Sequence, residues 1–374
     1  MATRISVCCK PFYYIKLYKR WFYYIKLGMG VRNSSVRSSL LVLLLITAVI
    51  MPYKLVHADS SSVLVAVTHP SLLVIVNAVG GERVNALSLV LLGADPHHYE
   101  PPALELMTLL RDVRVVLMTG PSHLPIEERI EELYRHRVSD WILLNYRNYS
   151  ENGLRMLINP VTGQVNPHGY FLSISGLRSI ALSLYKALVA LDPEGGDYYE
   201  SRLKVFLNYL ERLSSTIEYL VKDEKTIRVG LVTPILQYAC VEAGLEVTYL
   251  LLHEHDVPLE TKDLLDAINK YGVVYDVLVI SDLDFTTYPQ VAEELVKRGV
   301  RLVVVPLSKL LTTAPELTSL AIALEISTPI ITVERENQTT NLHLITVIPP
   351  LVAIVVLVTY MFMVRTYGAS RKRD

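Results

Sequence analysis

This chain of 374 residues has few cysteines and almost no net charge, and each of these features excludes a class of protein. The three cysteines are Cys8, Cys9 and Cys240. Only Cys240 lies in the part that we expect to be exported, which excludes an internal disulfide and a cysteine-based zinc site there. The formal net charge of −1 gives no reason to expect a nucleic-acid partner. The sequence also lacks a His-Glu-x-x-His helix, a serine nucleophile elbow and a Gly-rich phosphate loop, so we predict no enzyme.

Apolar residues are concentrated near the two ends of the chain. Residues 40–50 form an apolar run that follows Arg32 and Arg37 and precedes Val56-His57-Ala58, a pattern typical of a secretory signal. An uncleaved anchor is the alternative. The aromatic, lysine-rich residues 1–30 are interpreted as upstream of a start at Met29 rather than as a membrane-surface segment. We therefore assign 1–58 to an N-terminal extension and signal peptide.

The second apolar run is predicted to cross a membrane. Residues 345–364 carry no charge, and twenty apolar residues span a bilayer core as a helix. The basic tail at 365–374 follows directly, so the positive-inside rule places it in the cytoplasm and the rest of the chain outside. Residues 329–344 are then a polar tether. These features predict a cell-surface protein anchored in the lipid of the cytoplasmic membrane, with its globular part outside.

The central part of the chain alternates apolar runs with amphipathic segments. Predicted strands lie at 63–67, 85–91, 113–118, 141–144, 228–232, 246–251, 277–280 and 302–305, with helical patterns between them. This alternation predicts an α/β fold of two lobes, each with a parallel sheet flanked by helices. A long amphipathic stretch without proline predicts a rigid helix that joins the lobes. The expected boundaries are 59–190 for the first lobe, 191–222 for the linking helix and 223–328 for the second lobe.

Histidines stand in turns where ligands bind in such sheets, beyond the carboxyl ends of strands. The turn from Gly93 to Pro102 follows an apolar run and contains His97 and His98. Adjacent turn residues point apart, and we choose His97 as the metal ligand. Asn166-Pro167-His168 is a second Pro-His turn, and it makes His168 a candidate. Surface exposure or helix capping is the alternative for each.

Three further positions could complete such a site. His123 follows the third strand, and Asp282 and Asp284 follow the strand at 277–280. For each of them helix capping is the alternative. Three imidazoles and a carboxylate suit zinc, and also manganese or iron(II). The dense cluster at 253–256, His-Glu-His-Asp, is interpreted as a solvated loop rather than a capture site.

With these motifs the chain resembles the cluster A-I (cluster 9) metal-binding solute-binding proteins of zinc and manganese ABC transporters. The resemblance runs from about 63 to 307. It is carried by Gly-x-Asp-Pro-His-x-Tyr-Glu-Pro at 93–101, by the Asn-Pro-His turn at 166–168 and by Leu-Asp-Pro-Glu at 191–194. It implies that His97 and His168 are metal ligands and that a monomer captures zinc or manganese for an ABC permease. The predicted C-terminal anchor is typical of archaeal surface proteins.

The chain departs from the family pattern in the second lobe. Thr233 lies five residues before Tyr238, where the family usually has a histidine or glutamate ligand. Asp282 or Asp284 then supplies the family's last carboxylate, and the site recruits His123 or binds metal differently. Two other functions stay open. One is a zinc-dependent surface hydrolase with Glu100 as its base, and the other is a receptor without metal.

Overall fold

The computed structural model describes residues 62–91, 96–120, 123–136, 140–222, 227–250 and 275–327, together with 262, 265, 266 and 269. All of them belong to one compact unit. The predicted signal segment, the predicted membrane helix at 345–364 and the 253–256 loop lie outside the described residues. The domain boundaries given above stay predictions.

The strands form two four-stranded sheets, and every strand pair in them is parallel. Their bounds are β1 (Val63–Val67), β2 (Val84–Ser88), β3 (Val115–Leu117), β4 (Ile142–Leu144), β5 (Arg228–Leu231), β6 (Glu246–Leu250), β7 (Val277–Ser281) and β8 (Arg301–Val305). The sheet orders are β2-β1-β3-β4 and β6-β5-β7-β8, so the two halves repeat one topology. The predicted α/β fold with two parallel sheets is confirmed.

Helices connect the strands and cover the sheets. They are α1 (Leu73–Gly80), α2 (Ala103–Leu109), α3 (Pro125–Arg135), α4 (Tyr146–Glu151), α5 (Ile174–Leu191), α6 (Gly196–Val221), α7 (Gln237–Glu242), α8 (Asp282–Thr287), α9 (Pro289–Lys297), α10 (Leu307–Thr313) and α11 (Thr318–Ser327). The sequence pattern did not predict α4, α8 and α10. Each has six or seven residues, too few for a clear helical period.

The long helix α6 joins the two sheets, as its amphipathic pattern predicts. Its 26 residues bury one stripe that includes Leu203, Phe206 and Leu210. A 3-10 turn begins at Pro193 just before it, and the Asp192 side chain accepts a hydrogen bond from the Gly195 amide of that turn. A helix of this length with a continuous buried face holds the lobes at a fixed spacing.

Among the described residues, one helix is long and apolar enough to cross a membrane. This is α5, Ile174–Leu191, and more than half of its most apolar stretch is buried inside the protein. Its residues Leu177, Ile180 and Leu184 are fully buried in the core beside α6. Helix α5 is therefore a core helix of the folded protein.

The first lobe (62–191) and the second lobe (227–327) are bonded to each other on two sides. On one side the Asn166 amide donates to the Pro234 carbonyl, at 3.0 Å, and Tyr238 donates to the Asn166 carbonyl, at 2.6 Å. On the other side the Ser71 hydroxyl donates to the Leu311 carbonyl, at 2.9 Å. These contacts border a cavity between the lobes.

Candidate metal centre

A cavity of about 390 Å³ lies between the lobes at the carboxyl ends of β1, β3 and β7. This is the place where parallel α/β sheets bind ligands. Its first-lobe wall consists of loops that follow strands, and its second-lobe wall comes mainly from α8 and α10. Most of the lining is apolar, with a small number of imidazole, hydroxyl and carboxylate groups.

Three histidines meet on the first-lobe wall. One ring nitrogen from each of His97, His123 and His168 can be chosen so that all three lie within 4.8 Å of one another. The ring centres are 5.6 Å apart for His97 and His123, 6.1 Å for His97 and His168, and 4.7 Å for His123 and His168. All three side chains are half-buried. A metal ion with Zn–N bonds of about 2.0–2.1 Å needs such a convergence.

The turn of residues 96–98 directs its two histidines differently. His97 follows Pro96 and lines the cavity, while His98 is exposed. Residues 92–95, which form the first part of the predicted motif, lie outside the described residues. The choice of His97 over His98 therefore agrees with the direction of each side chain, and its role as a ligand stays a prediction.

His168 is held by the residue two positions before it. Its backbone N–H donates to Asn166 Oδ1 at 2.8 Å, and its ring Nδ1 lies 3.0 Å from the same oxygen. The Asn166 amide nitrogen donates to Gln237 Oε1 at 2.8 Å, which fixes the orientation of the amide. Because Oδ1 can only accept, Nδ1 of His168 carries the proton and the lone pair of the neutral ring is on Nε2.

Gly169 allows the second lobe to approach His168 closely. Its φ of +77° is a conformation that favours glycine. A Cβ at this position would lie 1.8 Å from the carbonyl oxygen of Ile235 in the second lobe. The close contact at Gly169 therefore positions His168 directly at the boundary between the lobes.

The two predicted carboxylates have different surroundings. Asp284 is buried and lines the cavity, and its Oδ2 accepts hydrogen bonds from Thr233 and Ser281, both at 2.8 Å. Asp282 does not line the cavity; its carboxylate accepts from the backbone N–H of Ser308 at 2.9 Å and from the Ser308 hydroxyl. Of the two, only Asp284 lines the same cavity as the imidazoles, although it is not one of the side chains that converge within 4.8 Å. Thr233, where the family has a ligand, instead bonds this carboxylate.

Sequence reasoning missed His69, which also lines the cavity. It follows β1 in Thr68-His69-Pro70, so the strand-end rule that selected His97 and His123 applies to it equally. Burial, and then the nearby His97, lowers the pKa of His69 to about 4. Its Nδ1 accepts a hydrogen bond from the Ser71 amide at 3.2 Å, so the proton of the neutral ring is on Nε2. His69 thus presents an N–H rather than a lone pair at its outer nitrogen.

Two parallel sheets joined by a long helix, with imidazoles gathered in the cleft, are the features of a two-lobed metal-binding solute-binding protein. The chain belongs to the family described as zinc-uptake complex component A, periplasmic (ZnuA), whose family model matches residues 65–321. That match extends over more than half of the chain. It confirms the predicted resemblance to metal-binding solute-binding proteins. No curated protein sequence matches the chain.

Solved structures share this fold. A zinc-bound deletion mutant of ZnuA is 21% identical, with a TM-score of 0.55, and the match covers 71% of this chain and 97% of that one. FpvC from Pseudomonas aeruginosa in complex with Mn²⁺ is 21% identical, with a TM-score of 0.56, over 71% of this chain and 100% of that one. A Mn-bound periplasmic protein from Candidatus Liberibacter asiaticus is 15% identical, with a TM-score of 0.55 and coverages of 71% and 100%.

Proposed function

We propose that this chain captures a divalent transition metal outside the cytoplasmic membrane and delivers it to an ABC permease. The observation that carries the proposal is the convergence of His97, His123 and His168 within 4.8 Å. Their position in an inter-lobe cavity fits a receptor that encloses its cargo between two walls. Membership of the ZnuA family supports the same role.

Zinc is the cargo that the donor set favours over manganese. Neutral imidazole nitrogens suit zinc, whereas manganese favours carboxylate and other oxygen ligands. Among the described residues of the cavity wall, Asp284 is the single carboxylate, and two hydroxyls already donate to one of its oxygens. The fold itself does not decide the metal, because related solved structures are complexes with zinc, Mn²⁺ and Ni²⁺.

Among the described residues, the hydrolase alternative lacks a suitably placed base. Glu100 is exposed and does not line the cavity. A zinc-bound water needs a base within hydrogen-bond reach of it. The described wall of the cavity offers only Asp284 for that role, and its donors Thr233 and Ser281 hold it in the second lobe. We therefore propose metal capture alone.

Metal titration of the full-length chain, purified in mild detergent and stripped with chelator, tests the proposal. We expect one zinc ion per chain, bound at least about tenfold more tightly than manganese. The double variant His97→Ala with His168→Ala should lose this binding, and His98→Ala, which removes an exposed neighbour, should keep it. No binding by the wild type would favour the metal-free receptor, and equal binding by the double variant would contradict a site built on His97 and His168.

A further inference from the structure

Glu127 is a fully buried carboxylate beneath the histidine cluster, and it is not itself part of the cavity wall. It accepts hydrogen bonds from the Thr68 hydroxyl at 2.5 Å and from the Thr119 amide and hydroxyl at 2.5 and 3.0 Å. The amides of Gly120 and Leu124 donate to its other oxygen, at 3.2 and 3.3 Å. One carboxylate therefore connects the loop after β1 with the loop that carries His123.

The Thr119 hydroxyl stands between this carboxylate and His123. Its oxygen is 3.0 Å from Glu127 Oε1 and 2.8 Å from His123 Nδ1. Burial raises the pKa of Glu127 to about 7, so above pH 7 it is an ionised carboxylate that can only accept, and the single proton of the Thr119 hydroxyl then goes to Glu127. The hydroxyl oxygen then accepts from His123, which requires a proton on Nδ1.

We propose that Thr119 and Glu127 are positioning residues that hold His123 in its Nδ1–H tautomer and direct the Nε2 lone pair toward the metal. This inference rests on the proposed function. A neutral imidazole binds metal through the nitrogen without a proton, and a hydrogen bond at the other nitrogen fixes which one that is. Asn166 Oδ1 bonds Nδ1 of His168 directly, whereas Nδ1 of His123 is linked to the Glu127 carboxylate through the Thr119 hydroxyl.

His69 provides an internal contrast in the same cavity. Its Nδ1 accepts from a backbone amide, so it has the opposite tautomer and its Nε2 carries a proton. Hydrogen bonding at Nδ1 therefore distinguishes His123 and His168 from His69. The tautomer of His123 can therefore be measured in the metal-free protein and compared with that of His69.

Replacement of a threonine hydroxyl by a methyl group of similar size tests the hydrogen bonds that link Glu127, Thr119 and His123, and the protein offers a matched control. Thr119→Val disconnects His123 from Glu127. Thr68→Val also removes a buried hydroxyl donor to Glu127 but does not contact His123. Thr119→Ser retains the hydroxyl. In competition titrations with zinc, we expect a loss of affinity of about 10- to 100-fold for Thr119→Val and less than about threefold for the other two.

Nitrogen-15 NMR of the metal-free histidines supplies a readout that a merely structural role would not change. We expect His123 to carry its proton on Nδ1 in the wild type, in Thr68→Val and in Thr119→Ser, and to shift toward Nε2–H in Thr119→Val. Equal affinity losses in Thr119→Val and Thr68→Val, or an unchanged tautomer in Thr119→Val, would overturn the proposal. A wild type that shows the expected tautomer but binds no metal would contradict the proposed function instead.

Discussion

The two walls of the cavity have different chemistry. On the first-lobe wall, one ring nitrogen from each of His97, His123 and His168 lies within 4.8 Å of the other two. The second-lobe wall offers one carboxylate, Asp284, beside hydroxyls and the leucines of α8 and α10. Buried hydrogen bonds of Glu127 and Asn166 anchor the loops of His123 and His168, and in the second lobe Thr233 donates to Asp284.

This difference assigns separate tasks to the walls. Under the proposed function, the nitrogen donors on one side select the metal by ligand type, because softer imidazole ligands favour zinc over manganese. The opposite wall closes the cavity with apolar surface and adds one negative charge. A metal that depends mainly on one wall can be released when the other wall moves by a small amount. The lobe-to-lobe bonds at Asn166 and Ser71 are the contacts that such a movement would break.

The largest expected effect is a loss of zinc affinity, and it is measured by changing each wall of the cavity in a separate variant. Removal of two imidazoles by His97→Ala with His168→Ala should lower zinc affinity by about a thousandfold or more, since about 1.4 kcal/mol corresponds to each factor of ten. Asp284→Asn keeps the shape of the second wall and should lower affinity about tenfold. Competition titrations with a calibrated zinc chelator measure both. Equal losses in the two variants would contradict the division of tasks.

The next effect concerns the point where the walls meet. Gly169→Ala should lower the free energy of unfolding by about 3 kcal/mol, because a Cβ there would lie 1.8 Å from the Ile235 carbonyl. Gly163→Ala is the matched control, since Gly163 also has a positive φ, of +70°, but has nothing within 4 Å of a built Cβ. We expect it to cost about 1 kcal/mol in urea denaturation. A similar loss in both variants would show that backbone strain alone matters.

Much of this architecture could be predicted from the sequence. All eight strands were placed because buried parallel strands are short, continuous apolar runs, and their ends differ by a few residues at most. His97 and His123 were found because the carboxyl ends of parallel strands share one edge of a sheet, and His168 was found because its Asn-Pro-His turn resembles the first Pro-His turn. The same rule applied to Thr68-His69-Pro70 would also have found His69.

Side-chain direction within a helix turn could not be predicted. Asp282 and Asp284 follow the same strand, and both lie in the first turn of α8, which begins at Asp282. Residues two apart on a helix are about 200° apart around its axis, so one carboxylate reaches the cavity and the other reaches Ser308. The short helix α8 had no periodic signal, so the sequence left both aspartates as equal candidates.

A smaller effect is expected from two buried carboxyl groups, Glu127 in the first lobe and Glu316 in the second. Burial raises the pKa of both Glu127 and Glu316 to about 7. Glu127 accepts five hydrogen bonds, but Oε2 of Glu316 has no partner among the described residues. Glu316→Gln should therefore be tolerated, and Glu127→Gln should destabilise the fold.

The pH dependence follows from the raised pKa of Glu316. Because the folded chain binds this proton more tightly than the unfolded chain, stability falls as pH rises from about 4.5 to 7. Glu316→Gln should remove up to about 3 kcal/mol of that fall, since each pKa unit corresponds to about 1.4 kcal/mol. Denaturation of the metal-free protein at several pH values measures it. An unchanged slope would show that Glu316 titrates normally.

The smallest expected effect concerns Thr233, which stands where the family has a ligand. Its hydroxyl donates to Asp284 at 2.8 Å and reduces the negative charge that this carboxylate offers to a metal. Thr233→Val should remove this donor from Asp284, so that zinc affinity rises about threefold, with a larger relative gain for manganese. Thr233→Ser keeps the hydroxyl and should match the wild type in the same titrations. A loss of more than about tenfold in Thr233→Val would mean instead that Thr233 positions Asp284 as a ligand, and the second wall would then share in choosing the metal.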